Sequence, residues 1–130
     1  MAKKETEALS KIVKKLPDFI EALEDKIQII TSRMATLKKS GLIYATEHWR
    51  RDNNGVPKYF YLLYPQQMGE KRKREYIGTD PDKIHNAQEG RKRAIEYDGL
   101  SKELDELQRY VRQIHQALAD AECHLTMAIS

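Results

Sequence analysis

The sequence predicts a mainly helical α+β fold, in which two long heptad helices form a coiled-coil stalk and flank a three-stranded antiparallel β meander. Three observations predict it. Apolar residues recur at alternating spacings of four and three over residues 9–37, and of three and four over residues 97–128. This spacing holds one narrow seam on one side of a helix for many turns. Between these stretches the apolar period drops to two, with aromatic and β-branched residues enriched, as a half-buried strand requires. Clusters of turn-forming residues divide that middle stretch into three.

The first seam comprises Leu9, Val13, Leu16, Ile20, Leu23, Ile27, Ile30, Met34 and Leu37. β-Branched residues fall mainly at its a positions and Leu mainly at its d positions, the preference of a parallel two-stranded coil. Folding of the two helices of one chain back on each other is the competing arrangement, and a four-helix dimer accommodates both. Pro17 suits the first turn of a helix and not its interior, so a continuous helix is expected only from about residue 17 to 39, with residues 8–16 a separate segment or a kinked start. Asp18, Glu21 and Glu24 near that start, and Lys38 and Lys39 near the end, complement the helix dipole. Ser40-Gly41 supplies the stop.

The first strand is expected over residues 42–51 and the second over 58–64, joined by the turn Asp52-Asn53-Asn54-Gly55. A second turn at Gln66-Gln67-Met68-Gly69 leads to a basic third strand over 71–77 that ends at Gly78. Asp80-Pro81 opens the second helix, with Thr79 or Asp80 as its cap. Ile84, Ala87, Ala94 and Ile95 are out of phase with the later heptads and are expected to pack on the sheet. From Tyr97 the register is clean through Leu100, Leu104, Leu107, Val111, Ile114, Leu118, Ala121, Leu125 and Ala128, although Gly99 costs about 1 kcal/mol of helix propensity.

The chain thus reads as a single elongated domain over residues 1–130, with helix at 8–40, meander at 42–78 and helix at 80–128. A seam that buries only two positions in seven gives one chain little interior. A homodimer or higher oligomer is therefore expected, joined through Leu16, Ile20, Leu23, Ile27, Ile30 and Leu37 of the first helix and Leu104, Leu107, Val111, Ile114, Leu118 and Leu125 of the second.

A formal net charge of +3 says little, but its distribution says more. Residues 48–93 carry eleven Lys and Arg against six Asp and Glu, whereas residues 94–130 carry three against seven. The basic centre suggests an anion-binding surface, or charge pairing between neighbouring subunits. Arg50, Arg51, Lys58, Lys71, Arg72, Lys73 and Arg74 supply most of the cations and Trp49, Tyr59 and Tyr61 the aromatics. Cations reach phosphates and guanine edges, and aromatic rings stack on unpaired bases. An edge strand guarded by Lys and Arg is the alternative. Arg91, Lys92 and Arg93 form a second cluster on the helix, either a solvated face or a grip on a nucleic-acid backbone.

Residues 58–90, with Tyr59-Phe60-Tyr61, Glu70-Lys71-Arg72-Lys73-Arg74 and Tyr76-Ile77-Gly78 ahead of a helix, resemble the arm-type three-stranded DNA-binding domains of phage and transposon integrases. They are also similar to segments of small uncharacterised proteins of bacterial mobile elements. The resemblance spans about a quarter of the chain and implies a DNA-binding sheet.

Other constellations read as structural. His48, His85, His115 and His124 lack metal-ligand spacing, and no phosphate loop, nucleophile elbow or His-Glu-x-x-His motif occurs, so neither catalysis, cofactor nor metal is expected. Tyr97 and Tyr110 are read as helix packing. Cys123 is the lone cysteine, so a reducing cytoplasm is expected, and no apolar run approaches the roughly 20 residues that span a bilayer. The leading expectation is a dimeric, non-enzymatic nucleic-acid-binding protein, with DNA favoured over RNA. The rivals are a protein-interaction module of adaptor or phage-inhibitor type, docking onto a host or phage protein, and a structural coiled-coil spacer.

Overall fold

The computed structural model describes residues 2–130 in the order α1 (Ala2–Ser40), β1 (Thr46–Arg51), β2 (Pro57–Leu63), β3 (Arg74–Gly78) and α2 (Pro81–Ile129). Two helices of 39 and 49 residues flank one antiparallel sheet of strand order β1-β2-β3, the α+β, mainly α fold that the periodicities predict. No described helix is long and apolar enough to cross a membrane. The chain divides into two compact units: a sheet unit over Met34–Ser101, and a helical unit made of the rest of α1 and of α2 from Lys102 onward.

The core of the sheet unit follows from the alternation in β2. Phe60 and Leu62 are buried, and Ile84 and Ala87 of α2 pack on them with Ile43, Ala45, Tyr64 and Ile77. The out-of-phase start of α2 is therefore the layer that covers the sheet. Asp80 caps this helix, its Oδ1 accepting from the Asp82 amide at 3.0 Å and its carbonyl from the Ile84 amide at 3.0 Å. Gly41 ends α1 with φ at 102°, and its amide donates to the carbonyls of Leu37 and Lys38, both at 3.2 Å. That left-handed conformation is the reason for glycine here.

Three boundaries differ from the expectation. Helix α1 runs through Pro17 without a break, so residues 8–16 are not a separate segment. Only the amide that would have bonded the Val13 carbonyl is missing, and the turns on either side retain theirs. Strand β1 starts at Thr46 and not at residue 42. The backbone of 42–45 is bound to α2 instead, with the Ile43 amide donating to the Gly90 carbonyl at 3.1 Å and Arg91 Nε to the Ala45 carbonyl at 2.6 Å. Strand β3 starts at Arg74 and not at Lys71. The Gln67–Glu70 turn is closed by the Glu70 amide on the Gln67 carbonyl at 3.1 Å, and a single further rung, Tyr64 amide to Lys73 carbonyl at 2.9 Å, precedes the regular ladder. The four consecutive cations are thus not a strand, and they do not alternate between its faces.

In the helical unit, solvent is excluded only near the seam. Leu16, Leu23, Ile27, Ile30 and Thr31 of α1, and Leu104 and Leu107 of α2, are its buried or half-buried residues, and Lys26 Nζ lies 3.6 Å from Glu103 Oε1. Ile20, Val111, Ile114, Leu118 and Leu125 keep the heptad register yet stay exposed. Leu37 belongs to the sheet unit, where it is 2% exposed, so it is buried within the chain and is not open to a second copy.

Candidate nucleic-acid interface

Because side chains alternate across a strand, burial of Phe60 and Leu62 turns Tyr59, Tyr61 and Leu63 to the opposite face of β2. The register then builds that outer face row by row. Arg50 lies opposite Tyr59, His48 and Tyr76 lie on either side of Tyr61, and Thr46 and Arg74 lie on either side of Leu63. Ring centroids are 4.9 Å apart for Tyr61 and Tyr76 and 6.2 Å for His48 and Tyr61. Arg50, Arg51, Asp52, Asn53, Tyr59, Tyr61 and Tyr76 line one shallow cleft of about 380 Å3 on this side.

The hairpin that carries Arg50 and Arg51 is tightly bonded. The Asp52 side chain accepts from the amides of Asn54 and Val56 at 2.9 and 3.0 Å, and its amide donates to the Val56 carbonyl at 2.9 Å. Arg51 Nη1 turns back to the Gly55 carbonyl at 3.4 Å. A register shift between Arg50 and Arg51 leaves Lys58 outside the paired ladder, and its Nζ lies 5.8 Å from the Tyr59 ring centroid.

The sequence-predicted cations separate into two groups. Arg50, Lys71 and Arg74 are exposed and make no hydrogen bond or ion pair among the described residues. Lys73 is also exposed, over the Tyr64 ring at 5.5 Å. Arg72, Arg91, Lys92 and Arg93 are instead bonded within the protein. Arg72 donates to the Tyr64 carbonyl at 3.0 Å and to Thr46 Oγ1 at 3.4 Å. Arg91 holds the Ala45 carbonyl and pairs with Glu47 at 3.0 Å. Arg93 donates to the Gly41 carbonyl at 2.8 Å. Lys92 pairs with Glu89 at 3.2 Å, and that contact holds the Glu89 carboxyl below the usual carboxylate range.

Trp49 is on the core side of β1, edge-on to Phe60 at 4.9 Å, so the structure separates it from Tyr59 and Tyr61. Tyr76 and His48 join those two tyrosines, and sequence reasoning had not assigned them to the site. The alternation of Tyr76 with the inward Ile77 was the available signal. Two further tyrosines are structural. Burial and then a 2.9 Å bond to Glu75 push the Tyr64 phenol up, and a 2.9 Å bond to Asp98 does the same for Tyr44.

A second cleft, about 390 Å3, is walled largely by Ile43, Ala45, Leu63, Pro65, Ala94 and Ile95. Its polar groups Arg72, Arg91 and Asp98 are already paired within the protein. The outer face of the sheet is therefore the surface on which unpaired cations and aromatic rings coincide. Comparison with protein-family models, curated proteins and solved structures returned no match.

Proposed function

We propose that this protein is a non-enzymatic nucleic-acid-binding protein, which engages its ligand through the outer face of the sheet and self-associates through the exposed heptads of its helices. The observation that carries the reading is the coincidence of Tyr59, Tyr61, Tyr76 and His48 with Arg50 and Arg74 on the sheet face opposite the core and the start of α2. Arg50 and Arg74 stand on the edge strands β1 and β3, where edge protection alone also places cations, but edge protection does not call for the outward cluster of Tyr59, Tyr61, Tyr76 and His48 beside them.

Affinity in this reading is largely electrostatic and falls as salt rises. The test is a titration of labelled nucleic acid by fluorescence anisotropy at several salt concentrations. The triple variant Arg50→Ala, Lys71→Ala, Arg74→Ala is the informative one, because none of the three is bonded within the fold. It is expected to lose at least about tenfold in affinity and to flatten the salt dependence by about two to three released counterions. Equal affinity and slope in the variant, or no binding by the parent chain at low salt, overturns the assignment.

The exposed Val111, Ile114, Leu118 and Leu125 favour a protein partner for the helical unit as well. In the reading proposed here that partner is a second copy. An adaptor that recruits a different protein, using also Glu103, Asp105 and Glu106, is the second reading.

A further inference from the structure

We infer that the ligand class is single-stranded nucleic acid, with unpaired bases stacked on the tyrosine row Tyr61 and Tyr76 and on neighbouring Tyr59. This rests on the reading above and narrows it. The rings lie on the face opposite the core: Tyr76 is 54% exposed, and the half-buried Tyr61 has His48 and Tyr76 on either side. A base offers its face to such a ring only when it has left the duplex stack.

Spacing supports the same choice. Tyr59 and Tyr61 stand two residues apart on one strand, about 6.8 Å, which is twice the about 3.4 Å repeat of bases within a duplex strand. Bases seated on both rings must be splayed apart, and a single strand does this at little cost. The charge pattern argues against the alternative of a ribbon laid in a duplex groove. That mode needs donors along the strands that enter the groove. Here Lys71, Arg72 and Lys73 lie outside β3, Arg72 is spent on the Tyr64 carbonyl, and the centre of the face is tyrosine and leucine. Arg50 and Arg74 occupy opposite corners of the patch, where they neutralise phosphates of a strand crossing it diagonally.

The test uses the full chain and fluorescein-labelled oligonucleotides of about 12 units, a length within the range single-strand sites occupy. Single-stranded DNA, single-stranded RNA and duplex DNA of one mixed sequence are compared by anisotropy. One or both single strands are expected to bind at least about tenfold more tightly than the duplex. The double variant Tyr61→Ala, Tyr76→Ala is expected to lose about 30-fold or more, since each stacked base contributes about 1–3 kcal/mol. The double variant Tyr61→Phe, Tyr76→Phe is expected to stay within about threefold, because a phenyl face still stacks. The single Tyr76→Ala change, at an exposed position, guards against a folding defect in the double variant and should lose about fivefold or more.

Duplex binding as tight as single-strand binding, or equal losses in the Phe and Ala variants, overturns the inference and leaves nucleic-acid binding standing. Absence of binding to all three polymers overturns both.

Discussion

The two interior glycines of α2 show how one residue type serves opposite ends. A Cβ built on Gly90 would lie 2.5 Å from Ile43 Cδ1 and 2.8 Å from its Cγ1, and Ile43 cannot retreat freely because its amide bonds the Gly90 carbonyl. Gly90 is thus the residue that lets the linker lie against the helix. A Cβ on Gly99 would meet nothing within 4 Å. Gly90→Ala is therefore expected to lower stability by about 1–3 kcal/mol through overpacking, despite better helix propensity, whereas Gly99→Ala should raise it by about 1 kcal/mol. Urea melts of the two variants check the opposite signs. The sequence shows two isolated glycines inside a helical stretch and nothing local that separates them, because the clash partner of Gly90 is 47 positions away. The same distance hid the structural duty of Arg91 and Arg93, whose backbone acceptors lie in the linker. Outward display of Tyr59 and Tyr61 was legible, since alternation about Phe60 needs no distant partner.

At the scale of elements, periodicity locates every helix and strand, and the differences are confined to ends and to one proline. From the sequence Pro17 marks a helix start, because its ring and missing amide oppose an interior position. The helix passes through it because the cost is local, while heptad packing at Leu16, Leu23 and Ile27 acts on either side. Pro17→Ala should consequently stabilise α1, by up to about 3 kcal/mol, with a higher thermal midpoint followed at a helical circular-dichroism band. An unchanged or lower midpoint would show that the proline is used for curvature or partner contact. The strand ends differ from the pattern for a physical reason of their own. Pattern reports which residues favour an extended backbone, but not whether the neighbouring backbone is a strand or, as at 42–45, one turn of a helix.

At the scale of the whole molecule, the heptads of the helical unit are incompletely used by a single chain. Ile114 and Leu118 are each 40% exposed, and Leu125 57%. Light scattering of the parent chain is expected to give about twice the 15.2 kDa chain mass, and the variant Ile114→Glu, Leu118→Glu a single chain mass with its sheet intact. A parent chain that remains monomeric would leave those residues for a different protein. In the sheet unit, the linker 41–45 is fastened to residues 90–93 by the Ile43 amide, Arg91 and Arg93, across gaps of 46 and 52 positions for the two arginines. In chain-entropy terms, closing so long a loop from the coil costs more than closing one whose middle is already ordered. With the meander formed first, only about 15 loose residues remain to be closed, which lowers the cost by about 1 kcal/mol. Folding of the sheet unit is therefore expected to begin in the hairpins and to end with this fastening, so the arginines slow unfolding more than they speed folding.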